Sequence, residues 1–284
     1  MFLKEVNQNT ILKLKKIGIS RSEAALETGI LLNFVFGITK KDLILYPEKE
    51  LADEKLEVFN ALIQRRVKEK IPVQYLTNKA FFMGEEFYVD ENVLIPRPET
   101  EILVEEVLKL VNKNNLKILD IGTGSGCIAC MIAKHLKDVK VFAGDISQKA
   151  LKVAKLNAEK LGVKEKITFV NSDLFENIDA KEKFDIIVSN PPYIPIHEKQ
   201  NLQPEVVLHE PHQALFAEDE KGLAFYEKLA SQAKYRLNKN GCLAVEIGIY
   251  QSTDTVKIFK KACFEEIKII KDYNQIDRVI VAKY

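Results

Sequence analysis

The second half of the chain alternates short apolar runs with stretches whose apolar residues recur every three or four positions. Apolar runs bounded by polar turns predict buried strands, and the wider spacing predicts amphipathic helices. The predicted strands are Lys117–Ile121, Val139–Asp145, Ile167–Asn171, Phe184–Ser189 and Cys242–Ile247, with helices near 126–137, 148–161, 221–237 and 251–262. This alternation indicates an α/β fold with a mostly parallel, doubly wound sheet.

The end of the chain departs from that alternation. Phe264–Ile270 and Asp277–Ala282 are predicted strands, and the polar segment between them is too short for a crossover helix. Parallel neighbours need such a crossover, so the last strand is predicted to be antiparallel. A Rossmann-like sheet that ends in this way suits the architecture of S-adenosylmethionine (SAM)-dependent methyltransferases.

The first part of the chain shows no strand-like alternation. Its apolar residues recur at helical spacing and are interrupted by glycine and proline, which predicts a bundle of short helices with Ser20 and Thr39 as N-caps. The aromatic-rich run Ala80–Val89 around a central glycine predicts a β-hairpin. We therefore expect a helical bundle domain (1–78), a hairpin linker (79–94) and an α/β domain (95–284).

Composition narrows the function classes. The 284 residues are 46% hydrophobic and 29% charged, as in ordinary globular proteins, and the formal net charge of +1 gives no overall attraction for nucleic acid or an anionic membrane. No signal peptide or membrane-spanning run is recognisable, so a cytoplasmic location without a membrane partner is expected. Cys127 and Cys130 form a Cys-x-x-Cys pair, but no second pair completes a zinc set, and no metal site is predicted.

A glycine-rich segment joins the first predicted strand of the sheet to the helix that follows. It comprises Gly122, Thr123, Gly124, Ser125 and Gly126. In a doubly wound sheet this connection borders the ligand crevice, and Asp145 at the end of the next strand can accept hydrogen bonds from ribose hydroxyls. The dinucleotide fingerprint needs a sixth-position glycine where Cys127 stands, and no Gly-Lys-Ser/Thr of a P-loop follows. A ribose-bearing ligand other than NAD or ATP is predicted.

A second motif follows the fourth predicted strand. It reads Asn190, Pro191, Pro192 and Tyr193. The prolines make this loop stiff and poor in donors, so it suits a ligand that donates hydrogen bonds. An NH₂ group could donate to the Asn190 side-chain oxygen and the Pro191 carbonyl while Tyr193 stacks on its plane. Alignment and electrostatic stabilisation would then support methylation of the nitrogen without a strong base.

Each motif also has a plainer structural interpretation. A glycine-rich segment can simply make a tight connection, and Asn-Pro and Pro-Pro are ordinary turn dipeptides. Both motifs, however, follow strands of one parallel sheet and face one crevice. That shared placement favours the functional interpretation.

Segments spread over nearly the whole chain match the motifs of one family. They are Pro72–Leu76, Ile95–Glu101, Asp120–Gly126, Ser189–Ile194, Glu246–Gly248, Lys271–Asp272 and Asp277–Val279. With these segments the chain resembles the release-factor glutamine methyltransferases, known as HemK or PrmC. The Asn-Pro-Pro-Tyr loop is shared with amino-methylating DNA and RNA enzymes, whereas its combination with Ile95–Glu101 is much more specific.

The resemblance implies methyl transfer from SAM to the side-chain amide nitrogen of the glutamine in the Gly-Gly-Gln motif of class I peptide chain release factors. It implies that the helical domain recognises this substrate. The implied site residues are Asn190, Pro191 and Tyr193 for catalysis, Gly122, Thr123, Gly124, Ser125, Gly126, Asp145, Leu174 and Asn190 for SAM, and Asn190, Pro191, Pro192, Tyr193 and Arg97 for the substrate.

Two other functions stay open on the residues alone. A DNA or RNA amino-methyltransferase could use the same loop to hold a flipped base, although the basic track and target-recognition insertion that it would need are not visible. A non-catalytic SAM-binding or partner-binding module is the other alternative. The cationic run Arg65–Lys70 is interpreted as a solvated helix face, with an acidic or RNA partner as the alternative.

Overall fold

A computed structural model of the chain describes residues 1–111 and 114–284. They divide into two compact units. The first comprises Met1–Asn78 and Gln203–His209, and the second comprises Lys79–Leu202 and Glu210–Tyr284. The hairpin therefore lies within the second unit, and residues 203–209, which we expected in the α/β domain, lie within the first.

The helices and strands of the described residues follow one another along the chain in this order. Up to residue 111 they are α1 (Leu3–Lys16), α2 (Arg21–Phe36), α3 (Lys40–Leu45), α4 (Asp53–Glu69), α5 (Val73–Thr77), β1 (Ala80–Phe82), β2 (Glu85–Phe87) and α6 (Pro98–Lys109). From residue 114 they are β3 (Leu116–Ile121), α7 (Cys127–His135), β4 (Val139–Asp145), α8 (Gln148–Lys160), β5 (Ile167–Asn171), β6 (Phe184–Ser189), α9 (Pro204–His209), α10 (His212–Leu215), α11 (Ala224–Ala233), β7 (Leu237–Glu246), α12 (Ser252–Lys261), β8 (Glu265–Lys271) and β9 (Asp277–Lys283).

Two helices of the first unit, α2 and α3, begin at the N-caps that the sequence predicts. The side chain of Ser20 accepts a hydrogen bond from the backbone N–H of Glu23 at the start of α2. Thr39 caps α3 in the same way and forms a reciprocal capping box with Asp42. The apolar faces of α1, α2 and α4 meet in one core that includes Leu3, Leu31 and Phe59.

One residue of the cationic run contradicts the solvated-face interpretation. Arg66 is 1% exposed, and its guanidinium is bound by two carboxylates. It lies 2.8 Å from Glu27 of α2 and 2.6 Å from Glu205 of α9. A guanidinium can be buried when carboxylates satisfy its charge and donors, so Arg66 pins residues 203–209 to the helical unit.

The second unit contains a seven-stranded sheet among the described residues, with strand order β5-β4-β3-β6-β7-β9-β8. Strands β5, β4, β3, β6 and β7 are parallel neighbours, and β9 runs antiparallel to both β7 and β8. The predicted mostly parallel sheet with an antiparallel last strand is confirmed. The first strand of this sheet along the chain is β3. Strands β4 and β5 are added on one side of β3, and β6 and the later strands are added on its other side.

Apolar cores lie on both faces of this sheet. On one face β3, β4 and β6 pack against α6 and α7, and on the other face the sheet packs against α11 and α12. Strand β7 begins at Leu237, earlier than predicted, because Leu237 pairs with Phe184 and a bulge accommodates the polar residues that follow. The predicted hairpin is present as the antiparallel pair of β1 and β2.

The part of the chain that the structure describes has no helix long and apolar enough to cross a bilayer.

Candidate active site

The candidate site lies at the carboxyl ends of the parallel strands. The strand order reverses between β3 and β6, and a crevice at such a switch point is the usual ligand site of an open α/β sheet. A cavity of about 430 Å³ is found there, within the second unit. Ligand pockets of small molecules typically enclose about 300–1,000 Å³. The loops after β3, β4 and β6 all contribute to its wall.

Buried side chains hold the glycine loop after β3 through hydrogen bonds. The hydroxyl of Thr123 donates to the buried carboxylate of Asp120 at 2.6 Å. Asn157, which is fully buried on α8, donates to the carbonyl of Ser125 at 2.9 Å. Gly126 adopts φ +81°, and a Cβ there would lie 2.9 Å from the Cβ of Ala154, so this position brings the loop close to α8.

Asp145 connects the ends of two strands. One of its carboxylate oxygens accepts the backbone N–H of Gly124 at 2.9 Å, and the other accepts that of Ser147 at 2.8 Å. Burial raises the pKa of Asp145, although these two backbone donors oppose the rise. Each oxygen keeps a lone pair, so the carboxylate can still accept hydrogen bonds from a ligand in the cavity.

The Asn190 side chain ends a chain of hydrogen bonds that runs under the site. Its amide nitrogen donates to the hydroxyl of Thr100 at 3.0 Å. Thr100 donates in turn to Glu246 at 2.7 Å, and the hydroxyl of Tyr193 donates to the other oxygen of that carboxylate at 3.1 Å. Among the described residues, no donor is found for the Asn190 side-chain oxygen.

Glu246 lies at the end of β7 and is 1% exposed. Burial raises its pKa, and the hydroxyl donors Thr100 and Tyr193, together with the nearby guanidinium of Arg278, oppose that rise. The backbone of the Asn-Pro-Pro-Tyr loop is held separately, because Gln251 donates to the carbonyl of Tyr193 at 2.9 Å.

Arg97 is held by an ion pair. Its guanidinium lies 2.5 Å from Glu210, whose carboxylate also accepts the backbone N–H of Ile95 at 3.2 Å. The Glu210 side chain is nearly inaccessible, whereas that of Arg97 is one-third exposed. The exposed part of Arg97 can therefore contact a partner, although its guanidinium is already paired with Glu210 of the same chain.

The structure brings some of the predicted site residues to the cavity wall and leaves others behind it. Within the described residues the wall includes Gly122, Gly124, Asp145, Leu174, Asn190 and Pro192, and it does not include Thr123, Ser125, Gly126, Pro191, Tyr193 or Arg97. Thr123, Ser125 and Gly126 hold the loop in place. Tyr193 lies partly buried, with its hydroxyl turned to Glu246.

The cavity fits SAM in size and in chemistry. A carboxylate with spare lone pairs suits ribose hydroxyls, and glycine backbone allows a close approach by the ligand. Leu174 and Phe225 supply apolar wall for a planar base. Asp145 and the glycine loop would hold the nucleoside, which leaves Asn190 for a second ligand.

Comparisons with known proteins agree with this geometry. The family model described as "Methyltransferase small domain" matches residues 98–218, and that described as "PrmC N-terminal domain" matches residues 5–77. The chain is 42% identical to the release factor glutamine methyltransferase of Flavobacterium psychrophilum, over 90% of each protein. It is 41% identical to that of Clostridium acetobutylicum, again over 90% of each.

The chain belongs to the release factor glutamine methyltransferase family. Its fold is also similar to that of a solved methyltransferase from Pyrococcus furiosus, with a TM-score of 0.52 and 16% identity over 82% of this chain and 98% of that one. At that identity the likeness supports the fold alone. The methyltransferase class and the fold predicted from the sequence are therefore confirmed.

Sequence reasoning assigned no role to several residues that shape the site of this family member. Thr100 and Glu246 lay in motifs that carried the resemblance, but nothing indicated that they contact each other. Asn157 had a visible signal, since it is a polar residue on the otherwise apolar buried face of α8.

Cys127 is buried, and burial raises its pKa to about 12, so its thiol is inert at neutral pH.

Proposed function

We propose that this protein transfers a methyl group from SAM to the side-chain amide nitrogen of a glutamine in a release factor. The observation that carries the proposal is the Asn190 amide, whose nitrogen is engaged by Thr100 while its residue lines the cavity beside Asp145. The names of the relatives support the substrate class. The Gly-Gly-Gln motif of class I release factors is the specific target that we propose.

The proposed role of the Asn-Pro-Pro-Tyr loop follows from its acceptors. A glutamine NH₂ group has two N–H donors. The Asn190 oxygen at the cavity wall is the proposed acceptor of one, and the carbonyl of Pro191, which lies behind the wall, is the proposed acceptor of the other. SAM, when bound, would supply the methyl group from its positively charged sulfonium: the methyl–sulfur bond would break as the methyl–nitrogen bond forms, and the sulfur would keep the bonding electrons and leave as a neutral thioether. As the nitrogen gains the methyl group it becomes positively charged, so acceptors already directed at its N–H groups stabilise that charge until a proton leaves to solvent.

The first unit is proposed to recognise the release factor. The family match to residues 5–77 supports a role shared by relatives. Consecutive residues Ile44, Leu45 and Tyr46 are exposed apolar residues at the end of α3, as expected for a contact surface. Ile44→Asp should then raise the KM for the release factor about 10-fold and leave the Kd for SAM unchanged. An unchanged KM would show that this segment does not contact the release factor.

A cytoplasmic location is also proposed. The free thiols of Cys127, Cys130 and Cys242 support it, because reducing compartments keep such thiols unpaired.

The decisive experiment is intact-mass analysis of a class I release factor after incubation with this protein and SAM. A gain of one methyl group on the wild-type factor, and none on a factor whose Gly-Gly-Gln is changed to Gly-Gly-Ala, would establish the reaction and its target. DNA and RNA are incubated in parallel. Methyl transfer to either nucleic acid with none to the factor would overturn the proposal.

A further inference from the structure

A buried carboxylate, that of Glu246, lies behind the Asn-Pro-Pro-Tyr loop. Glu246 is too deeply buried to touch a substrate, yet each of its two oxygens accepts a hydroxyl proton. One hydroxyl belongs to Thr100 on α6 and the other to Tyr193 in the loop. Both donors are one step removed from the cavity.

The direction of these hydrogen bonds determines the orientation of the Asn190 amide. A carboxylate can only accept, so the single hydroxyl proton of Thr100 is committed to Glu246. The Thr100 oxygen can then act only as an acceptor toward Asn190. The amide must therefore present its NH₂ to Thr100, which turns the amide oxygen to the opposite side of the group.

We propose that Glu246 is a positioning residue that fixes the Asn190 amide with its oxygen available to the substrate. It acts through the Thr100 hydroxyl on the side chain and through the Tyr193 hydroxyl on the loop. This inference rests on the proposed function, because an amide oxygen is useful only if the substrate donates to it. Reversal of the amide would direct two N–H donors at the substrate's own N–H groups.

The inference depends on hydrogen-bond direction, so substitutions that keep shape and change direction test it. Thr100→Val removes the hydroxyl at nearly constant volume, and Thr100→Ser keeps it. Glu246→Gln replaces one acceptor oxygen by a donor NH₂, which forces the Thr100 or the Tyr193 hydroxyl to turn. Glu106→Gln is the matched control, since Glu106 is also a buried carboxylate of this unit but binds Lys109 and Lys268.

The first measurement observes Asn190 without any substrate. The side-chain amide resonances of Asn190 in ¹⁵N-labelled full-length protein are assigned by their loss in Asn190→Ala. We expect them to shift, and their hydrogen exchange to accelerate about 10-fold or more, in Thr100→Val and in Glu246→Gln, but not in Thr100→Ser or Glu106→Gln. Unchanged resonances in both Thr100→Val and Glu246→Gln would overturn the inference.

The second measurement uses turnover. Thr100→Val and Glu246→Gln should each lower kcat about 10- to 100-fold with SAM affinity retained, because misplacement of an aligning group costs on this scale. Thr100→Ser should recover most of the loss seen in Thr100→Val. The double variant should lose little more than Glu246→Gln alone, since that substitution already disturbs the hydrogen bond from Thr100 that Thr100→Val removes. Multiplied losses would overturn action through Thr100.

The two readouts separate this inference from the proposed function. If wild-type protein methylates no release factor, the proposed function fails, and the amide resonances still decide whether Glu246 orients Asn190. If wild-type protein does methylate the factor, and the variants keep both kcat and the resonances, only the inference fails. Should Glu246→Gln not fold, Thr100→Val alone carries both measurements.

Discussion

The backbone N–H of Gly124 donates to the carboxylate of Asp145 at 2.9 Å. The end of β4 thus holds the loop that follows β3, and one carboxylate serves both the loop and the cavity. A substitution at Asp145 should therefore disturb ligand binding in two ways, through the lost ligand acceptor and through a loosened loop.

Asp145→Ala should weaken SAM binding by about 10- to 100-fold, because hydrogen bonds to a charged group contribute about 1.5–3 kcal/mol. Isothermal titration with SAM measures the Kd directly. The control is Asp179→Ala. Asp179 is an exposed residue away from the cavity wall, and its carboxylate accepts the backbone N–H of Lys181. Equal Kd values for wild type and Asp145→Ala would rule out a ribose-binding role for Asp145.

Asn190→Ala should lower kcat by about 10²–10³-fold while the Kd for SAM stays within a factor of three, since the variant loses an acceptor that stabilises charge developing during transfer. Single-turnover methylation of the release factor and SAM titration provide the two values. Asn238→Ala serves as the control, because Asn238 is a half-buried asparagine bound to Asp185 at the start of β7. Near-normal turnover in Asn190→Ala would disprove alignment by Asn190.

Gly126→Ala should lower the free energy of unfolding by about 2 to 4 kcal/mol. A side chain at φ +81° is strained by about 1–2 kcal/mol, and its Cβ would overlap Ala154 on α8. Gly162→Ala is the matched control, since it also has positive φ but no atom within 4 Å of its Cβ position. Urea unfolding of both variants isolates the packing contribution. Equal losses would mean that contact with Ala154 contributes nothing.

Asp120 should make stability depend on pH. Burial raises its pKa from 3.8 to about 7, so between these values the folded state keeps a proton that the unfolded state has lost. The free energy of unfolding should therefore fall as pH rises from about 4 to about 7, by up to about 4 kcal/mol from this group. Asp120→Asn cannot ionise and should lack this contribution.

Calorimetric unfolding of wild type and Asp120→Asn at intervals from pH 4 to pH 8 checks the sign. The difference in stability between the two proteins should shift in favour of the variant as pH rises. Asp179→Asn, at an exposed position, should follow the wild-type curve. If the wild-type and Asp120→Asn curves run parallel, the pKa of Asp120 is not raised in the folded protein.

The sheet was predictable because its information is local. Apolar runs such as Phe184–Ser189 mark buried strands without reference to any other part of the chain. The start of β7 was not, because Leu237 is followed by a polar, turn-like stretch, and only pairing with Phe184 shows that the strand has begun. For the same reason the helix predicted near 221–237 is too long at its end, because α11 ends at Ala233 and β7 begins at Leu237.

The loops of the site were predictable, whereas their supports were not. Glycine, proline and asparagine impose recognisable backbone and hydrogen-bonding properties, so Gly122–Gly126 and Asn190 could be found in one sequence. Thr100 and Glu246 are 146 positions apart, and no local pattern indicates that their side chains meet. The interpretation of Arg66 as part of a solvated helix face was wrong for a related reason. Its partners Glu27 and Glu205 are distant in sequence from it and from each other.

The ion pair between Arg66 and Glu205 has a consequence for synthesis of the chain. Domains generally fold as units, with the amino-terminal one first as the chain emerges from the ribosome. Here the helical unit includes residues 203–209, so it remains incomplete until the chain has been made as far as His209. Until then the Arg66 guanidinium lacks the Glu205 carboxylate that shares its charge with Glu27, so the nascent helical bundle is expected to stay open at the position that α9 later fills.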